Sequence, residues 1–109
     1  MDKHFWRSRI KDGMVAEYIR RHDEISDEMV AELRAAGICN YTILKIGNDL
    51  LGVYECAKGE KFALDYQAGS LVVREWEKSM DKIVTRLPDG EPIGKLHGLC
   101  ECEVVFRLD

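Results

Sequence analysis

A phenol and an imidazole stand four residues apart in the stretch Gly13-Met14-Val15-Ala16-Glu17-Tyr18-Ile19-Arg20-Arg21-His22-Asp23. At about 3.6 residues per turn, Tyr18 and His22 leave a helix on the same side, one turn apart. Imidazole is the side chain whose ordinary titration falls near neutrality, so it can give or take a proton at physiological pH. A phenol beside it can hold a substrate hydroxyl or relay a proton. The pair therefore reads as proton-handling chemistry at the edge of a pocket. The same spacing also fits two core residues whose polar atoms bond to backbone. Tyr41 leads one face of a later strand and fits either role. Trp76 lies on the apolar stripe of a later helix, a core pattern, with Glu77 at its border as a solvated residue. His4 and His97, near strand or loop ends, read as surface residues.

The elements that must position these groups follow from periodicity. His4 to Ile10 alternates, with Phe5, Arg7 and Arg9 on one face and His4, Trp6, Ser8 and Ile10 on the other. Asp12-Gly13 turns the chain into a helix whose stripe is Val15, Tyr18, Ile19, His22, Ile25, Met29, Val30 and Leu33. Ser26, followed by Asp27 and Glu28, suits an N-cap and acidic first turn, so a break is expected between Asp23 and Ser26. Gly37 ends the helical region. Strands follow at 40–46 and 50–56, joined by a short hairpin at Gly47-Asn48-Asp49. A short helix is expected at 60–67, and a longer one at 71–87 capped by Ser70. Its stripe is Val73, Trp76, Met80, Ile83, Val84 and Leu87. Pro88, Asp89, Gly90, Pro92 and Gly94 mark a surface loop. The run 99–108 alternates most cleanly, with Cys100, Cys102, Val104, Phe106 and Leu108 on one face. The order β-α-β-β-α-β is that of the ferredoxin-like α+β fold, two helices on one face of an antiparallel sheet. The second sheet face is half apolar, and a homodimer through it is expected.

Composition narrows the function. The 109 residues suit one domain, 1–109, and 46% of them are hydrophobic against 33% charged. A formal charge of −4 with scattered Lys and Arg disfavours nucleic acid and anionic membranes as partners. No apolar run approaches the roughly 20 residues that cross a bilayer. The start of the chain lacks the apolar stretch of a secretory signal, so a cytoplasmic protein is expected, unless a signal was removed before residue 1. Cys39, Cys56, Cys100 and Cys102 are expected as reduced thiols, and their spacing makes a poor zinc site even with His97 added. No motif for a metal, nucleotide or redox cofactor is present.

With that order of elements, the chain resembles the L-rhamnose mutarotases, small dimeric α+β barrel proteins that interconvert the anomers of a free sugar. The resemblance runs from Phe5 to Leu108. It rests on Gly13 through Glu17-Tyr18, Arg20-Arg21-His22-Asp23, Gly37 with Asn40-Tyr41, Trp76 before Lys78 and Met80, and Glu103-Val104-Val105-Phe106. It implies that His22 is the proton donor and that Tyr18, Tyr41, Trp76 and Glu77 contact a monosaccharide, with no cofactor. Glu77 stands where these enzymes carry a second Trp, and Ser26-Asp27 stands where they often show Trp-Pro. Both differences imply a more polar, roomier rim. Within the 6-deoxyhexoses such as L-rhamnose or L-fucose, the expectation is that L-rhamnose is accepted poorly or shared with another free sugar, a fucose-like one being the nearest candidate. An acidic sugar would need Arg7 or Arg9 to offset Glu77. Two other readings fit the same fold. One is a cofactor-free monooxygenase-like or heme-handling member of the dimeric α+β barrel group; the other is a sugar-binding module without catalysis.

Overall fold

Alternation along the first ten residues builds β1 (Asp2–Ile10), which buries His4, Trp6, Ser8 and Ile10 and leaves Arg7 and Arg9 in solvent. The computed structural model describes residues 1–85, 105, 106 and 108. After β1 come α1 (Val15–Asp23), α2 (Asp27–Ala35), β2 (Ile38–Ile46) and β3 (Asp49–Cys56). Then follow α3 (Glu60–Gly69), α4 (Leu71–Met80) and the two-residue β4 (Val84–Thr85). The strands form one antiparallel sheet in the order β2-β3-β1-β4, the ferredoxin-like arrangement.

The helical region breaks where a cap is available. Ser26 is extended, and its Oγ accepts from the Met29 N–H at 3.1 Å, which starts α2 afresh. Ser26 is thus occupied as a cap and does not line the cleft described below, contrary to its expected place on a pocket rim. Ile19, expected on the buried stripe, is exposed at its margin. Gly37, with φ of 80°, turns the chain from α2 into β2, and a Cβ there would press on Lys58 at 3.0 Å.

The helix expected over 71–87 stops at Met80. Ile83, Val84 and Thr85 are three β-branched residues in succession, which favour extended backbone. Ile83 accepts from the Lys11 N–H at 2.8 Å, and β4 pairs with Arg9 and Ile10. Ile83 and Val84 are buried as their pattern required, but beneath the sheet edge rather than along a helix. The strand expected over 99–108 lies outside the described residues, apart from three positions. Val105, Phe106 and Leu108 are exposed and carry no regular secondary structure. The loop expected at 88–94 also lies outside the described residues, as do Cys100, Cys102 and His97. Cys39 and Cys56 are free thiols.

β2 carries one irregularity that decides which residues face inward. Cys39 pairs with Glu55 and Thr42 with Val53, so Asn40 and Tyr41 together oppose Tyr54. This is a β-bulge, with Asn40 at a φ of 48°, a left-handed conformation that Asn tolerates. Before the bulge Ile38 faces the core; after it Tyr41 and Ile43 do. The inner face packs Trp6, Ile10, Leu50 and Tyr54 against Ala63, Met80 and Ile83. The outer face presents Leu44, Ile46 and Leu51, with Phe5 and Val53 half-buried among them.

Candidate functional site

One cleft opens between the inner sheet face and helices α1 and α4, enclosing roughly 410 Å³ of space, part of it continuous with solvent. Tyr18 and His22 from α1, Tyr41 from β2, and Trp76 and Glu77 from α4 all line it. These are the five residues singled out in the sequence, and the fold brings them together.

Helix α1 supplies Tyr18 and His22. The rings of Tyr18 and His22 lie 4.3 Å apart between centroids, tilted by 33°. His22 Nδ1 is 3.0 Å from the Tyr18 carbonyl oxygen. A carbonyl only accepts, so Nδ1 carries a hydrogen, and Nε2 is the nitrogen left to exchange a proton. Burial pushes the Tyr18 phenol well above its ordinary range, with the nearby Glu77 charge adding to it, so Tyr18 stays a neutral donor. α1 is held against α4 by Arg21, whose guanidinium donates to the Ser79 carbonyl at 3.2 Å. A cation near the carbonyl end of a helix is favourably placed. This seam sets His22 edge-on to Trp76, with centroids 5.3 Å apart and planes at 88°.

Glu77 is not the solvated residue its helical position suggested. It is 9% exposed, and burial, with the Asp81 charge contributing, pushes its carboxyl up to about 7. At neutral pH it is therefore divided between a hydrogen-bond donor and a charged acceptor.

The sheet contributes the floor. Tyr41 faces the cleft because of the bulge, and its Oη accepts from Trp6 Nε1 at 2.8 Å. Burial holds the Tyr41 phenol far above its ordinary range, against a smaller opposing effect of the Trp6 bond. Trp6 lies flat over Gly52, its antiparallel partner, where an added Cβ would sit 2.1 Å from the indole Cε2. Gly52 is therefore what lets the indole reach Tyr41. Trp6 and Ser8 were placed on the correct face by alternation, but nothing in the pattern marked them as cleft residues. His4, expected at the surface, is buried on the same face. Its Nδ1 is 3.1 Å from Glu60 Oε2, and its ring packs 5.1 Å from that of Tyr54. Arg7 and Arg9 lie on the outer face, with Arg9 paired to Asp49 at 2.9 Å, away from the cleft. Among the described residues, no group of three or more His, Cys, Asp or Glu side chains is placed to hold a metal ion. No described helix is long and apolar enough to cross a membrane.

Comparison with known proteins gives a consistent result. A family model described as L-rhamnose mutarotase matches residues 3–108. An L-rhamnose mutarotase of Sinorhizobium medicae (strain WSM419) is 41% identical over 95 residues, covering 85% of this chain and 89% of the relative. One from Flavobacterium johnsoniae is 34% identical over 103 residues, covering 93% of this chain and 90% of the relative. The crystal structure of an L-rhamnose mutarotase from Formosa agariphila superposes with a TM-score of 0.77 at 22% identity, spanning 100% of both chains, a likeness of fold. With a family model spanning nearly its whole length and relatives aligned along most of it, the chain belongs to the L-rhamnose mutarotase family of anomer-interconverting isomerases.

Proposed function

We propose that this chain, acting as a single domain over residues 1–109, interconverts the α and β anomers of a free 6-deoxyhexose. L-rhamnose is the substrate named for its relatives, and a fucose-like sugar is the alternative that Glu77 favours. The observation that carries this reading is the convergence of His22, Tyr18, Tyr41, Trp76 and Glu77 on one cleft. Mutarotation requires a proton to leave the anomeric hydroxyl and a proton to reach the ring oxygen. The bond between the anomeric carbon and the ring oxygen then breaks, leaving an open-chain aldehyde. Rotation about the neighbouring C–C bond presents the other carbonyl face. Reclosure returns both protons, so the reaction is balanced without any co-reactant.

His22 Nε2 is the group assigned to proton transfer, with its tautomer set by the Nδ1 bond to the Tyr18 carbonyl. Tyr18 and Tyr41, kept neutral by burial, hold sugar hydroxyls. Trp76 offers a flat apolar wall to sugar C–H groups. Glu77 accepts or donates at a further hydroxyl. A carboxylate there favours a sugar presenting a donor, where an aromatic wall would favour an apolar edge.

The same reading includes a homodimer formed through the outer sheet face, where Ile46 is 81% exposed beside Leu44 and Leu51. Apolar surface of this kind is characteristic of an interface. The activity is tested by NMR magnetisation exchange between anomers over L-rhamnose, L-fucose, galactose and a uronic acid. Exchange faster than solvent for a 6-deoxyhexose supports the enzyme. Binding without faster exchange would make the chain a sugar-binding module instead.

A further inference from the structure

The inner face of β1 carries one hydroxyl that no described residue satisfies. Ser8 is 7% exposed and lines the cleft, yet its Oγ is sealed from bulk water and bonds to no described residue. Its neighbours on that face are Trp6 and Ile10, and its partner on β3 is Leu50, so the described strands beside it offer it apolar contact. A polar donor of the floor, Trp6 Nε1, is bonded to Tyr41 Oη at 2.8 Å. A hydroxyl buried without a partner weakens the folded state relative to a methyl group of similar size. A residue in that position is therefore explained by a bond made only when the cleft is filled.

We propose that Ser8 binds a sugar hydroxyl from the sheet side of the cleft and is a specificity-determining residue, an assignment that rests on the mutarotase reading above. A serine hydroxyl reaches any of three staggered directions by rotating one bond, so binding turns Oγ from its sealed position toward the cleft that Ser8 lines, where it can donate or accept. The ligand group it takes is thus a hydroxyl rather than a methyl or a ring C–H. It acts from the floor, while Tyr18 and Glu77 act from the helices. A substrate must then present polar groups on two sides and an apolar edge to Trp76. Because the bond is the same in the closed and opening sugar, it contributes to binding rather than to the chemical step.

The test is a cycle between protein and sugar. Wild type and Ser8→Ala are compared on L-rhamnose and its monodeoxy derivatives, with rates normalised to spontaneous exchange. Ser8→Ala is expected to raise KM for L-rhamnose about 5- to 100-fold with kcat little changed. Its urea unfolding midpoint should be equal to or above that of wild type, since an unpaired buried hydroxyl has been removed. One monodeoxy sugar should lose the same factor against wild type, and Ser8→Ala should not discriminate against it further. An unchanged KM for L-rhamnose in Ser8→Ala, with all deoxy sugars treated alike by both proteins, would overturn the assignment of Ser8 alone. A wild type that exchanges no sugar faster than solvent would overturn the mutarotase reading, and this assignment with it.

Discussion

The two faces of one sheet are organised by different physics. On the inner face, polar groups are buried and held in place by bonds that also shape the cleft. Trp6 donates to Tyr41, and Gln67 donates to Tyr54 Oη at 3.2 Å. On the outer face, separated by a single step along each strand, Leu44, Ile46 and Leu51 project with little covering them. Buried polar groups need partners of fixed geometry, so the inner face specifies positions. Apolar side chains need only to leave water, so the outer face specifies contact with another surface and little about its detail. One side of the pleat therefore carries the candidate cleft, and the other the exposed apolar surface proposed for association.

Substitutions on the two faces should separate these roles, and His22 offers the largest effect. His22→Ala should lower the exchange rate roughly 10²–10⁴-fold while leaving the fold intact. Circular dichroism alongside NMR exchange checks both halves, and a folded variant with the wild-type rate would remove His22 from the chemistry.

Glu77 comes next. Its carboxyl titrates near 4.5 when unfolded and at about 7 in the folded chain, so the native state binds the extra proton between those values. The stabilisation is complete below the unfolded value and is lost as pH rises through about 7, a change of about 3 kcal/mol for a buried group. Urea midpoints measured from pH 4.5 to pH 8 should fall more steeply for wild type than for Glu77→Gln. Parallel curves would mean that Glu77 keeps an ordinary pKa.

Gly52→Ala sharpens the inner side. A Cβ 2.1 Å from the Trp6 ring must displace it, with a loss of about 1–3 kcal/mol and a weakened Trp6–Tyr41 bond. Tryptophan fluorescence and thermal unfolding read the two consequences. An unshifted spectrum with unchanged stability would show that the indole has room to spare.

The outer face should behave otherwise. Leu44→Glu should halve the mass seen by light scattering at micromolar concentration, yet alter the stability of the isolated chain by only about 0.5 kcal/mol. A wild type already monomeric under those conditions would break the comparison at its outer half.

Much of this division was legible in the chain. Alternation in β1 placed Trp6, Ser8 and Ile10 inward and Arg7 and Arg9 outward, because period two needs no knowledge of neighbours. Ser26 with its acidic followers announced the break between α1 and α2. Helical spacing alone marked Tyr18 and His22 as a candidate pair, while Tyr41, Trp76 and Glu77 came through the family resemblance. What stayed hidden depended on contacts between distant segments. Ile83 and Val84 satisfy both a helical stripe and a strand, and only the edge offered by Arg9 and Ile10 decides between them. Glu77 sits at the border of an apolar stripe, and whether α1 covers that border is not written in α4. His4 reads as a terminal residue until Glu60 and Tyr54 close over it. The orphan state of Ser8 Oγ is a property of its surroundings, and no local pattern carries it.

The bulge in β2 has a consequence for insertions and deletions. Removing Asn40 would restore simple pairing, yet Cys39 would still face out, Tyr41 in and Thr42 out, since the bulge holds two residues against one. Replacing Asn40 by a β-branched residue would instead force that side chain into a left-handed backbone that disfavours it. Losing the residue is therefore gentler on the cleft than changing it. Adding one residue beside it would send Tyr41 to the outer side of the sheet and bring its neighbour to the floor. Along β2, length is inherited with a tolerance of one residue downward and none upward.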